Sequence, residues 1–285
     1  MIKIDCHQHF WSLQRNDYDW LTSDLEPLYR DFLPDELSGK LKKNGIEGTV
    51  LVQAAATVEE TRYLLDLANQ HPFVKGVVGW VDFESEDVLS TLTELAQNPL
   101  FKGVRPMIQE IKDDKWILSP NFEVVFDKLI ELDLTFDALI KPQHIKIIDT
   151  LAKRFPDLKI VIDHCAKPEL TRFKTNSNAN QWFFDIASIS INKNVYCKLS
   201  GVLTEAGESP DFLLIRNVMD HILKSFGARR VMWGSDWPVV NLASDYDNWF
   251  NVVKIFLDET IPNYQHLIWA GSAIEFYSLN VGEVE

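Results

Sequence analysis

Cysteine is scarce in this chain of 285 residues. The three cysteines, Cys6, Cys165 and Cys197, cannot all pair within one chain, and each lies in or beside an apolar run typical of a strand. The small disulfide-rich folds of secreted proteins use many more cysteines at regular spacings. We therefore expect reduced thiols rather than a disulfide framework.

Positively charged residues are also few relative to negatively charged ones. The chain has 28 Lys and Arg residues against 42 Asp and Glu residues, which gives a net charge of −14. Nucleic acids and anionic lipids are polyanions and bind surfaces on which Lys and Arg are concentrated. The composition therefore excludes an extended surface for either partner and leaves only a local basic pocket open.

Long hydrophobic runs are missing as well. No run approaches the roughly 20 apolar residues that are needed to span a bilayer. The chain also reaches Asp5 directly after Met-Ile-Lys-Ile, without the charged and apolar segments of a secretory leader. We expect a cytoplasmic protein, and the 46% of hydrophobic residues are sufficient for a sizeable core.

Short apolar runs rich in β-branched residues recur along the chain and predict eight strands. They cover residues 2–4, 49–52, 76–81, 102–104, 134–138, 159–162, 195–199 and 230–233. The intervening segments have helical periodicity, as in Leu64 and Ala68. Thr57 with Glu60 forms a capping box before that helix, and Pro34 suits the first turn of another.

Strands that alternate with helices favour parallel pairing, and eight such units favour a closed (β/α)8 TIM barrel. We predict one domain of this kind over residues 1–285. Polar residues at or just past the predicted strand ends support it. They are His7, His9, Gln53, Asp82, Arg105, His164, Ser200 and Asp236. Active sites of this fold lie at that end of the barrel.

The segment from Asp5 to His9 carries two histidines with one residue between them. Side chains alternate along an extended backbone, so His7 and His9 point to the same side. Two imidazoles that project together can bind a divalent metal ion or orient a polarised substrate. Both histidines are therefore candidate metal ligands.

His164 and Asp236 follow the sixth and eighth predicted strands. We expect His164 to face the barrel interior with Asp163 as a structural partner, although a hydrogen-bonded histidine in a packed layer is an alternative. The carboxylate of Asp236 could accept a proton from an attacking water or ligate a metal. A helix cap is the alternative for Asp236.

Arg105 ends the fourth predicted strand and precedes a proline. Its guanidinium could hold a carboxylate or a ring oxygen of a substrate, and a surface salt bridge is the alternative. Trp11, Trp80 and Trp237 are candidates to stack on a substrate. The other histidines lie in or beside helical segments and are interpreted as structural or exposed: His71, His144, His221 and His266.

A polar stretch over residues 167–181 predicts a long loop after the sixth strand. Such a loop could cover the mouth of the barrel as a lid, or it could be ordinary surface. The sequence favours neither interpretation.

Several of these residues fall in motifs distributed over almost the whole chain. They are Asp5-x-His7-x-His9-x-Trp11, Gly103-Val104-Arg105, Asp163-His164 with Lys167-Pro168, Lys198-Leu199-Ser200-Gly201, Gly234-Ser235-Asp236-Trp237-Pro238 and the closing segment from Ala273 to Tyr277. Together they resemble the amidohydrolase superfamily, in the branch of amidohydrolase-related proteins that contains sugar lactonases.

The resemblance implies a hydrolase that opens a sugar-derived lactone to its aldonic acid. It places His7, His9, His164 and Asp236 at the core of the site, with Asp236 activating water and His164 as a second catalytic residue. Both are also candidate further ligands of a metal held by His7 and His9. It also implies at most one divalent ion, zinc or manganese, and no organic cofactor. A second metal is not expected, because the fifth strand ends around Asp137 and offers no histidine.

Two other functions stay open at this point. One is a metal-dependent decarboxylase or another carboxylate-acting member of the superfamily, and the other is a barrel that binds sugar acids without turning them over. We expect a small-molecule substrate in each case. The sequence determines neither the stereochemistry of that substrate nor whether the chain forms a homo-oligomer.

Overall fold

The computed structural model describes residues 1–173, 178–207 and 209–282. Within these residues, eight parallel strands follow one another around a single sheet in sequence order. They are β1 (Ile4–Gln8), β2 (Gly48–Val52), β3 (Val74–Gly79), β4 (Phe101–Val104), β5 (Thr135–Ala138), β6 (Ile160–Ile162), β7 (Val195–Leu199) and β8 (Val231–Trp233). The predicted (β/α)8 barrel is confirmed.

Helices alternate with the strands. They are α1 (Pro34–Asn44), α2 (Val58–Gln70), α3 (Val88–Leu95), α4 (Glu123–Glu131), α5 (Ile145–Arg154), α6 (Asn178–Ile189), α7 (Phe212–Phe226), α8 (Tyr246–Thr260) and α9 (Ser272–Tyr277). Pro34 occupies the first turn of α1, as predicted. Across the described ranges, we find no helix with the length and apolar character that a bilayer span requires.

The first and last strands are joined through the segment that follows β8. The backbone N–H of His9 donates to the carbonyl of Trp237 at 2.7 Å, and the N–H of Asp236 donates to the carbonyl of His7 at 2.8 Å. The same short segment therefore connects the edges of the sheet and carries Asp236.

Successive strand residues alternate between two buried clusters, as the period of a strand requires. Leu51 and Val77 pack outward against the helices. Val50 and Val78 belong to a second cluster inside the barrel, together with Phe276 and other residues of the C-terminal segment. That segment therefore contributes to the interior of the barrel.

The predicted bounds of β1 were wrong. The strand runs through Gln8 rather than ending at Ile4, so His7 lies within it. The carboxylate of Asp5 can lie within the buried strand because its oxygens accept hydrogen bonds from the backbone N–H of Ser235 at 2.8 Å and the hydroxyl of Tyr246 at 3.1 Å. A buried polar group costs little when its hydrogen bonds are satisfied.

The capping box predicted before α2 forms only in part. The hydroxyl of Thr57 accepts a hydrogen bond from the N–H of Glu60 at 3.1 Å. The carboxylate of Glu60 turns instead to the backbone N–H groups of Ala54 and Ala55, at 3.0 and 2.8 Å. It holds the loop after β2 in place.

The polar stretch over residues 167–181 lies partly outside the described residues, which omit residues 174–177. Its described part contains a helical turn at Leu170–Arg172 and the start of α6. The interpretation as a lid stays a prediction.

Candidate active site

A cavity of about 220 Å³ opens at the carboxyl ends of the strands. The polar residues of its wall are His9, Arg105, Gln109, Glu110, His164, Lys167 and Asp236. Its apolar wall includes Trp20, Leu25, Leu139, Val239 and Leu242. The cavity thus has one wall of polar, reactive side chains and one apolar wall that can pack against the C–H groups of a ligand.

Four candidate residues converge at the base of this cavity. Oδ1 of Asp236 lies 3.3 Å from Nε2 of His9, 3.7 Å from Nε2 of His7 and 3.8 Å from Nε2 of His164. The Nε2 atoms of His7 and His9 are 3.2 Å apart. One carboxylate oxygen therefore faces three imidazoles.

The outer nitrogens of the imidazoles are fixed by other groups. Nδ1 of His9 lies 2.8 Å from the carbonyl oxygen of Val52, which can only accept, so Nδ1 carries the hydrogen. Nδ1 of His164 pairs with the hydroxyl of Ser200 at 2.9 Å. Both rings can then present an Nε2 lone pair to the cluster, as metal-ligating histidines do.

The third imidazole, that of His7, also has a neighbour that can orient it. Oδ1 of Asp163 is buried and makes no hydrogen bond of good geometry among the described residues, although Nζ of Lys198 lies 3.0 Å from it. This oxygen lies 3.5 Å from Nδ1 of His7 and helps to orient that ring, whose Nε2 faces Oδ1 of Asp236 at 3.7 Å and Nη1 of Arg105 at 3.4 Å. Potential ligand atoms of His7, His9 and Asp236 lie within 4.8 Å of one another. This donor set fits one divalent ion.

Burial and neighbouring charges favour neutral imidazoles at His7 and His164 and an ionised carboxylate at Asp236. Burial lowers the pKa of His164 to about 4, and burial with the charge of Lys198 lowers the pKa of His7 well below its ordinary value. Burial alone would raise the pKa of Asp236, but His164 and the hydrogen bond with His9 outweigh it and hold that pKa below the usual range.

A buried charge network lies behind His7. Nζ of Lys198 is 2.5 Å from Oδ2 of Asp137, 3.0 Å from Oδ1 of Asp163 and 3.2 Å from Nδ1 of His7. The hydroxyl of Tyr277 donates to Oδ2 of Asp137 at 2.7 Å. Sequence reasoning missed this function of Lys198, although a lysine within an apolar strand signals a partnered charge.

Arg105 is buried rather than part of a surface salt bridge. Its Nε donates to Oε1 of Gln53 at 2.9 Å, and its Nη2 donates to both the side chain and the carbonyl of Gln53. Its Nη1 donates to Oδ2 of Asp163 at 3.3 Å. Most of the donors on this guanidinium are therefore engaged by the protein.

The backbone around two of the site residues is strained. His164, Cys165, Ala166 and Lys167 all have positive φ, between 48° and 58°, and Asp236 has φ 58°. Side chains with a Cβ rarely adopt this conformation, and it concentrates at functional sites. It turns the chain back on itself, so that His164 and Lys167 line the same cavity.

Residues 4–279 match the family described as amidohydrolase. The chain belongs to the amidohydrolase family. This amidohydrolase is 40% identical over 283 residues to a protein named L-fucono-1,5-lactonase from Burkholderia ambifaria, covering 98% of this chain and 96% of that protein. A second protein of that name, from Burkholderia multivorans, is 30% identical over 98% of this chain and 96% of its own length.

A solved amidohydrolase from Burkholderia multivorans, with bound zinc, has the same architecture as this one. The TM-score is 0.93 at 30% identity, over 98% of this chain and all of the other. The fold assignment therefore rests on an experimental structure as well as on the sheet described above.

The tryptophan that lines the cavity of this amidohydrolase is not one of the three that the sequence predicted. Trp11 and Trp237 are fully buried and pack edge-on against Phe32. In the described part of the chain, neither they nor Trp80 line the cavity. Pairing of the segment after β8 with β1 directs Trp237 into this aromatic cluster.

Trp20 lines the cavity instead, and its indole N–H donates to the carbonyl of Ala54 at 2.7 Å. Sequence reasoning missed it, because it lies in the loop before α1 and not at a strand end. The remaining histidines lie elsewhere, as in His144, which pairs with Asp114 at 2.9 Å, and His221, which contacts the carbonyl of Phe183 at 2.8 Å.

Proposed function

We propose that this amidohydrolase is a lactonase that hydrolyses a sugar-derived 1,5-lactone to its aldonic acid. The observation that carries the proposal is the ionised carboxylate of Asp236, which is buried at the base of the cavity and faced by three imidazoles. The names of the two Burkholderia relatives support a sugar lactone as the substrate.

We infer that one divalent ion belongs to this site. His7, His9, His164 and Asp236 would hold it, and three nitrogens with one oxygen are a donor set typical of zinc that manganese also accepts. When bound, the ion would lower the pKa of a water ligand and polarise a carbonyl group. A second ion is not expected, because Asp137 is already engaged by Lys198 and Tyr277.

The proposed reaction begins with water beside Asp236. The carboxylate accepts a proton from the water, whose oxygen attacks the lactone carbonyl carbon. The carbonyl oxygen becomes an oxyanion near the polar wall, where the positive charge of Arg105 stabilises it. Collapse breaks the bond to the ring oxygen, which takes the proton back from Asp236.

Acid release from a panel of sugar lactones, followed with a pH indicator with and without added zinc or manganese, tests this function. We expect turnover of L-fucono-1,5-lactone or a close relative. Asp236→Asn should keep the fold and lower kcat by roughly 10³-fold or more, because the amide cannot accept the proton.

Two results would contradict the proposal. Near-normal rates in Asp236→Asn would remove that residue from the role of general base. Thermal stabilisation by sugar acids without acid release from any lactone would instead indicate a barrel that binds such acids without turning them over.

A further inference from the structure

Lys167 is a cation on the cavity wall that the reaction above does not use. It is half-buried and lines the cavity together with His164 and Asp236. Its position follows from the left-handed turn after β6, in which the N–H of Lys167 donates to the carbonyl of His164 at 2.8 Å. The strained backbone therefore brings a lysine to the reactive side of the cavity.

The ammonium group of Lys167 is available for a ligand. In the described residues it has neither an ion pair nor a side-chain hydrogen bond, whereas Arg105 is tied to Gln53 and Asp163. Lys167 is thus positioned to meet negative charge that develops beside Asp236.

We propose that Lys167 binds the oxygen that begins as the lactone carbonyl oxygen and ends as one oxygen of the product carboxylate. The proposal rests on the lactonase function above. Attack of the water oxygen forms a bond to the carbonyl carbon and moves the π electron pair onto this oxygen. When the bond to the ring oxygen breaks, the pair re-forms the carbonyl, and the acid ionises to the carboxylate.

The charge on this oxygen determines how Lys167 acts. The lactone carbonyl is neutral, so an ammonium group stabilises it little, whereas the oxyanion carries a full charge in a water-poor site. Loss of the cation should therefore lower kcat and leave KM nearly unchanged. It should also weaken binding of the anionic product.

The test compares Lys167→Met, which removes the charge at similar side-chain length, with Lys167→Arg, which keeps it. Lys141→Met is the matched control, because Lys141 is an exposed lysine that does not line the cavity. For Lys167→Met we expect kcat to fall roughly 10²-fold with KM within about threefold of wild type. The inhibition constant for L-fuconate should rise at least about tenfold.

Lys167→Arg should recover part of both losses, and Lys141→Met should match wild type. Equal losses in Lys167→Met and Lys167→Arg would overturn the proposal, because they would indicate a structural role. Wild-type kcat and product inhibition in Lys167→Met would also overturn it.

Calorimetric binding of L-fuconate separates this proposal from the proposed function. If wild type turns over no lactone yet binds L-fuconate more tightly than Lys167→Met does, the lactonase function fails and carboxylate binding by Lys167 stands. If wild type hydrolyses lactones and the two proteins bind L-fuconate equally, the inference about Lys167 fails alone.

Discussion

Lys198 shows how a single residue sets the charge of the site. Burial alone would lower its pKa, but the carboxylates of Asp137 and Asp163 outweigh burial and raise it. The lysine thus stays charged inside the barrel. Its ammonium group lies against Nδ1 of His7 and helps to keep that imidazole neutral, which the proposed role of His7 as a metal ligand requires.

Replacement of Lys198 by methionine should destabilise the whole protein, since two buried carboxylates would lose their shared cation. Removal of one partner from a buried ion pair typically costs about 3–5 kcal/mol. Urea unfolding measures this change. Lys224→Met is the matched control, because Lys224 is 75% exposed and its pair with Asp220 contributes at most about 1 kcal/mol. A similar small loss in both variants would show that the network is unimportant for stability.

At the scale of elements, the loops after the strands determine the geometry of the site. Gly201 follows β7 with φ 63°, and a Cβ placed there would lie 2.6 Å from Nδ1 of His164. Gly234 follows β8, and a Cβ there would lie 2.6 Å from Cβ of His7. The absence of a side chain at these two positions makes room for two of the three imidazoles.

Gly201→Ala should therefore displace His164 as well as strain the loop. The matched control is Gly45→Ala at the end of α1, where φ is 65° and the nearest neighbour is a flexible lysine tip at 3.4 Å. Both variants should lose about 1–2 kcal/mol of stability from the positive φ. Only Gly201→Ala should also lose at least about tenfold in kcat and in zinc affinity. Unchanged zinc affinity would mean that His164 does not need this space.

The elements were more predictable from the sequence than the details of the site. Alternating strands and helices identified the barrel, because burial of one face of each element imposes a period on the apolar residues along the sequence. The left-handed turn from His164 to Lys167 was not predictable, since only its histidine belongs to a residue type that is enriched at positive φ and the three residues after it do not. The network around Lys198 was also hidden, because its carboxylates come from other strands.

At the scale of the whole molecule, Glu60 makes stability depend on pH. Burial raises the pKa of this carboxyl to about 8, above the value of about 4.3 for an unfolded chain. Between these values the folded state binds more protons than the unfolded state. The contribution of Glu60 to stability is therefore largest at low pH and falls as the pH rises towards 8.

Glu60→Gln should remove this dependence, because the amide does not titrate. Wild type should lose up to about 1.4 kcal/mol per pH unit relative to the variant between roughly pH 5 and 8. Urea unfolding at a series of pH values measures the difference. Glu94→Gln, at a side chain that is 58% exposed, should follow the wild-type curve. Parallel curves for wild type and Glu60→Gln would refute the assignment.

The join between the first and last strands has a consequence for how this protein can evolve. The backbone bonds that connect His7 and His9 to the segment after β8 also fix the position of Asp236. A variant that loosened this join would lose turnover together with stability. Selection for catalysis alone would therefore preserve the closure of the barrel. Substitutions in this segment would be selected against even in a protein stable enough to tolerate their effect on folding.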